Sequence, residues 1–312
     1  MKAQRVEKHY IKKNSKKSIY NIVDTYCYYS KNVYNEANYI IRQNYIKSNK
    51  YINKYELQKE MQPMKCYKEC GSQASQEAIK LVDRAWKSYF SAIKDWKNNP
   101  SKYLGMPEIP KYLPKEGRQV FILKNTQCAI KDGTFRISFK PFYKYSVRTH
   151  VTGKLLQCRF VPRNEVYIME VVYEIDIPDT IDTVPRRIAG IDMGIKNLMT
   201  LATNCDVSPI ALNGNPLKSI NQYYNKQMAA MKSYVKKRNN INTSKSIRKF
   251  SQKRNQKVDN YIHNATKIIV EFCVENKIDT LVCGNNKNWK QESNMGKINN
   301  QKFLYIPYES II

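Results

Sequence analysis

Acidic residues are scarce in this sequence: 26 Asp and Glu stand against 54 Lys and Arg, a formal net charge of +28 over 312 residues. That excess is too large for a solubility device, and an acidic small molecule needs only a few cations. It points to a polyanion, nucleic acid before membrane surface. Also missing is any apolar run of about 18 residues, the length a spanning helix requires. The N-terminal MKAQRVEKHYIKKNSKKSIYN has no apolar centre of a secretory signal either. No membrane partner is therefore expected, and the expected location is cytoplasmic. Metal-ligand spacings are sparse as well. Of eight cysteines only Cys66 and Cys70 come near a ligand pair, no second pair matches them, and the three histidines (His9, His150, His263) are far away in sequence. No zinc site is expected, and the cysteines read as small buried hydrophobes in a reducing compartment. Core-forming residues are plentiful. At 42% hydrophobic and 12% aromatic, the chain is not a basic disordered tail, and its length allows one large domain or two to three ordinary ones.

Apolar residues fall at helical spacing from residue 18 to 60 (Ile19, Ile22, Val23, Tyr26, Val33, Ala37, Ile40, Ile41). They do so again from Ser72 to Asn99 (Ala78, Val82, Trp86, Phe90, Ile93), where Pro100 breaks the pattern. This predicts a helical lobe. From Pro107 to Pro178 the period changes to two, in RQVFILKNT, TFRISFK, LLQCRFVP and VYIMEVVYEIDIP, with turn residues between. That is a small antiparallel β unit. A strand at Arg5–Ile11 could join it, which makes the helices an insertion between β segments. RRIAGIDMGIKNLMTLATNCDVSPIALNG then reads as a β-meander whose first strand ends in Asp192 and Gly194. A run of about 60 residues from Leu217 to Lys277 keeps helical periodicity without proline. Its middle carries Arg238, Lys245, Arg248, Lys249, Lys253, Arg254 and Lys257. A solvated face would mix signs, so these cations are expected along phosphate backbones. IDTLVCGNN reads as a short buried strand.

Three stretches, RIAGIDMGIKNLMTLATN, the basic helix with VDNYIHNATKIIVEF, and GNNKNWKQESNMGKINNQKFLYIPY, together resemble the transposon-encoded TnpB (OrfB) family, ancestral to type V CRISPR effectors. The resemblance covers Arg187 to Ile312. It implies an α+β multidomain chain. A helical recognition lobe (18–100) is inserted in a β-rich wedge domain (1–17 and 101–183), followed by a partial RNase H-like, RuvC-like α/β domain (184–312). The implied activity is RNA-guided DNA endonuclease, in which guide pairing reads sequence while the protein reads a short adjacent duplex motif and the heteroduplex shape. The implied partners are guide RNA and a double-stranded DNA target, the cofactor is Mg²⁺, and the setting is a prokaryotic cytoplasm near the nucleoid.

Asp192 matches the family's first catalytic aspartate, with Gly194, Lys196 and Asn197 completing the motif. Where the family usually has a glutamate, this sequence has Gly284. Glu292, in Trp289-Lys290-Gln291-Glu292, is the expected substitute and second Mg²⁺ ligand; a surface carboxylate paired with lysines is the alternative. The resemblance assigns phosphate contacts to Arg248, Lys249, Lys253, Arg254 and Lys257, with Lys287, Trp289 and Lys290 continuing the surface. The family's third acid and its CxxC…CxxC zinc ribbon would follow residue 312. The chain is accordingly read as C-terminally shortened, with Mg²⁺ held weakly or not at all and cleavage weak or absent. A nuclease-dead RNA-guided binder or repressor, a decayed transposon product and a generic basic RNA-binding protein remain alternatives. Transposition itself is not assigned to this chain.

Overall fold

The computed structural model describes residues 2–13, 19–177, 186–284 and 295–311. The chain is mixed α+β and folds as two compact units, Met1–Asp179 and Thr180–Ile312.

In the first unit β1 (Lys2–Lys12) precedes four helices: α1 (Tyr20–Ser48), α2 (Lys54–Met61), α3 (Lys65–Cys70) and α4 (Ser72–Asn98). Buried Ala74, Ala78, Ile79, Val82 and Trp86 make a single stripe on α4, the pattern of a helix that buries one face. Asn49, in the left-handed conformation that Asn tolerates, closes α1. The side chain of Asn53 accepts from the Tyr55 and Glu56 backbone N–H groups and opens α2. Much of the tyrosine stripe is core: Tyr45, Tyr51, Tyr89 and Phe90 pack around fully buried Trp86. Its indole N–H donates to Oδ1 of the equally buried Asn38 at 2.9 Å, which satisfies the one polar atom of the ring.

Residues 103–120 form neither helix nor strand, and α1 holds them by side chain. Ser30 donates to the Val120 carbonyl and Lys31 to that of Lys115, both at 2.8 Å. Asn35 exchanges two 2.9 Å bonds with the Leu113 backbone. Asn38 and Arg42 donate to the Pro110 carbonyl at 3.0 and 3.1 Å.

The strands β2 (Phe121–Lys124), β3 (Cys128–Lys131), β4 (Thr134–Ile137), β5 (Ser146–Arg148), β6 (Lys154–Arg163) and β7 (Val166–Asp176) follow. They form two sheets, β1-β7-β6-β2 and β3-β4-β5, antiparallel throughout. Asp132 and Gly133, both at positive φ, make the two-residue turn between β3 and β4. β1 pairs with β7 along its whole length, so α1–α4 stand in sequence between strands of one sheet.

The second unit opens with the antiparallel meander β8 (Ile188–Met193), β9 (Asn197–Thr203) and β10 (Ile210–Asn213). The expected single helical run is two helices, α5 (Asn215–Asn239) and α6 (Lys245–Glu275). Asn240 at positive φ ends the first, and the Ser244 hydroxyl accepts the Ile247 N–H at 3.2 Å to start the second. The turn folds α6 back on α5, where Tyr224 stacks on Phe250 with ring centroids 5.5 Å apart. β11 (Thr280–Cys283) then enters the sheet parallel to β8, giving the order β10-β9-β8-β11. The last helix, α7 (Lys297–Leu304), and a turn at Tyr308–Ser310 complete this core, with Phe303, Ile306 and Tyr308 packed against Leu198, Met199, Val258 and Ile262. Among the described residues no helix is long and apolar enough to cross a membrane.

Candidate functional site

Asp192 stands near the C-terminal end of β8, an inner strand flanked by β9 and β11. Across the antiparallel pair it faces Thr200. On the parallel side Ile191 is level with Cys283, the last residue of β11, so the next residue, Gly284, comes beside Asp192. Paired residues of neighbouring strands share a sheet face. Position 284 is thus where a second carboxylate would converge with the first, and a glycine occupies it. Among the described residues a Cβ there would meet nothing within 4 Å, so their packing does not demand the glycine. Asp192 is exposed, and among the described residues nothing bonds to its carboxylate.

The turn after Asp192 is tightly built. A Cβ on Gly194 would come within 2.9 Å of the Asn197 carbonyl, which accounts for glycine in the motif. The buried Tyr308 hydroxyl donates to the Gly194 carbonyl at 3.1 Å and pins this turn to the segment after α7.

On α6, Ile247, Val258, Ile262, Ala265 and Ile269 form the buried face, while Lys249, Lys253 and Lys257 recur every fourth residue on the exposed side.

Residues 170–290, which include β8, α6 and β11, match the model of the OrfB family of IS605-type elements, described as a probable transposase. This part of the chain is similar to the OrfB (TnpB) family. No curated protein matches the chain. Among solved structures it is similar to a Cas12f1–sgRNA–target DNA complex, with 17% identity over 99% of this chain and 82% of that one and a TM-score of 0.30. It is also similar to a CRISPR-Cas12f ternary complex, with 15% identity over 93% of this chain and 69% of that one and a TM-score of 0.32.

Besides Asp192, the expected site residues divide into three groups. Lys287, Trp289, Lys290 and Glu292 lie outside the described residues. Arg248, Lys249, Lys253 and Lys257 are exposed. Arg254 departs from expectation. It is half-buried on the core side of α6, and its guanidinium lies 5.6 and 5.4 Å from the ring centroids of Tyr224 and Tyr305. Nε and Nη2 donate to Asn221 Oδ1 at 2.8 and 2.6 Å, Nη2 also to the Tyr305 carbonyl at 3.0 Å, and Nη1 to Asn255 at 3.0 Å. Four of its five N–H donors are engaged inside the protein, so it ties α5, α6 and the end of α7 together. Helical phase signals this in the sequence: residue 254 follows Ile247 by seven and precedes Val258 by four.

Two Mg²⁺ ions need carboxylates converging from separate chain segments. The described residues of this unit bring one, Asp192, with a glycine alongside, and no group of three His, Cys, Asp or Glu among them could hold a metal ion. They do not fit that cofactor. On α3, burial pushes the Cys70 thiol up to about 12 and raises that of Cys66 too. Sequence reasoning gave Asn221 no role. The amide-rich run Asn221, Gln222, Asn225 on α5 was the available signal.

Proposed function

We propose that this chain is an RNA-guided DNA-binding protein of the OrfB family whose RuvC-like domain retains the first catalytic aspartate, Asp192, but cuts DNA weakly or not at all. The observation that carries this reading is the β8–β11 register. It supports an RNase H-type sheet, with a three-strand meander followed by a parallel fourth strand beside the first, and it sets Gly284 where Asp192 would find its partner. In the same reading residues 1–17 and 101–183 act as the wedge, 18–100 as the recognition lobe, and Lys249, Lys253 and Lys257 lie against phosphates of guide or heteroduplex. Glu292 stays a proposed second ligand.

The test is to purify the chain, sequence the RNA that accompanies it, and assay DNA carrying a match to that RNA. One discrete RNA species, target binding that depends on the match, and the same binding by Asp192→Ala are expected. Heterogeneous RNA with no target preference would make the chain a generic RNA binder. Mg²⁺-dependent cutting of the matched target, lost in Asp192→Ala, would overturn the claim of a defective nuclease.

A further inference from the structure

Between α5 and α7 lies a pocket of 480 Å³, within the roughly 300–1,000 Å³ typical of ligand sites. Four carboxamides (Asn221, Gln222, Asn225, Gln301) and two ammonium groups (Lys218, Lys302) line it, Tyr305 and two isoleucines complete the wall, and no carboxylate lines it.

One of these groups is fixed in orientation. Asn221 is only 6% exposed, and Arg254 directs two N–H groups at its Oδ1. A guanidinium has donors and no acceptor, so the atom facing it must be the amide oxygen, and the NH₂ must point away. Among the described residues that NH₂ has no acceptor. Arg254 is itself immobilised between Tyr224 and Tyr305, so the pocket holds a pre-oriented donor backed by a rigid support. The other three amides each offer donor and acceptor, the vocabulary of a nucleobase edge, and the lysines match a phosphate.

We propose that this pocket takes a single unpaired nucleotide, its acceptor atom received by the Asn221 amide N–H and its phosphate by Lys218 and Lys302, with Arg254 as the positioning residue. The source of the nucleotide, a splayed position in a bound strand or a free nucleoside monophosphate, rests on the reading above; the pocket chemistry does not.

The full chain is titrated with the common nucleoside 5′-monophosphates and with inorganic phosphate by calorimetry, and with 10-nucleotide single-stranded RNA and DNA by fluorescence anisotropy. Asn221→Asp keeps an oxygen for Arg254 but replaces the donor with a charged acceptor. It should weaken nucleotide binding at least ~10-fold without lowering the melting temperature. Lys302→Gln, at an exposed position, should weaken nucleoside monophosphates several-fold. Wild-type affinity for every probe in both variants overturns the pocket while leaving the nucleic-acid reading intact. Saturable monophosphate binding that Asn221→Asp abolishes, in a chain that binds neither oligonucleotide, upholds the pocket as a free-nucleotide site and overturns the reading above. No binding of any probe overturns both.

Discussion

Lys249, Lys253 and Lys257 step along α6 at intervals of four residues, about 6 Å each at 1.5 Å per residue. All three are exposed, and among the described residues none forms an ion pair. A lysine that neutralises a phosphate releases counterions, so log K against log salt steepens by ~0.9 per contact on a duplex and ~0.7 on a single strand. Replacing all three by glutamine should therefore flatten the slope by ~2.7 for heteroduplex or duplex and ~2.1 for single strands. Between about 50 and 200 mM salt, a fourfold change, the wild-type chain should lose ~40-fold more duplex affinity than the triple variant. Anisotropy titrations at four salt concentrations read this directly. Parallel slopes would refute the placement of phosphates along this face, whatever the affinity at a single salt. Arg254→Gln is the contrast: because four of its five N–H donors are engaged by Asn221, Asn255 and Tyr305, it should lower the melting temperature and leave the slope alone.

Gly284→Glu puts a carboxylate beside Asp192 where no described residue lies within 4 Å of the new Cβ; calorimetric Mg²⁺ binding should appear or tighten and vanish again with Asp192→Ala, and no change would mean the strand ends do not converge. Asn38→Leu leaves the buried Trp86 N–H without an acceptor, a cost of about 1–3 kcal/mol. In a unit of this size that is a melting temperature roughly 2–12 °C lower. Trp86→Phe in the same background should recover part of the loss in a double-mutant cycle, and an unchanged melting curve for Asn38→Leu would contradict the packing described. Burial pushes the Asp24 carboxyl up, but hydrogen bonds from Arg118 and Tyr167 outweigh it and hold the group below the ordinary carboxylate range. A depressed pKa stabilises above the unfolded value, near 4, and the gain is lost as pH falls through the folded value. Asp24→Asn should accordingly melt below wild type at neutral pH and converge with it in acid; a constant gap would refute the linkage.

Several elements were legible from spacing alone. The stripe from Ala78 to Trp86 announced α4, the change of period after Pro107 announced strands, and an aspartate near the end of an apolar run announced the acid on β8. The break at 240–244 was hidden because its signals, a left-handed Asn and a capping Ser, are weaker than Gly or Pro and sit in a run of charge. The inward position of Arg254 was not foreseen because charge was counted without phase. The division of the β segment into two sheets left no trace in periodicity, since alternation specifies a face and not a partner. The hold of α1 on residues 110–120 was invisible for another reason: it joins side chains to carbonyls, and every residue has a carbonyl.

That last point shapes how the first unit can evolve. Ser30, Lys31, Asn35, Asn38 and Arg42 grip main-chain atoms of the irregular stretch, so side chains there other than Ile109, Leu113 and Arg118, which pack on the core or bond Asp24, are free to drift while its path stays put, provided no proline removes the Leu113 N–H. The helix enjoys no such freedom, because each rung depends on one side chain of the right length and polarity. Variation here should run against the usual expectation, concentrating in substitutions the coil absorbs silently, while the regular helix beside it tolerates almost none on this face.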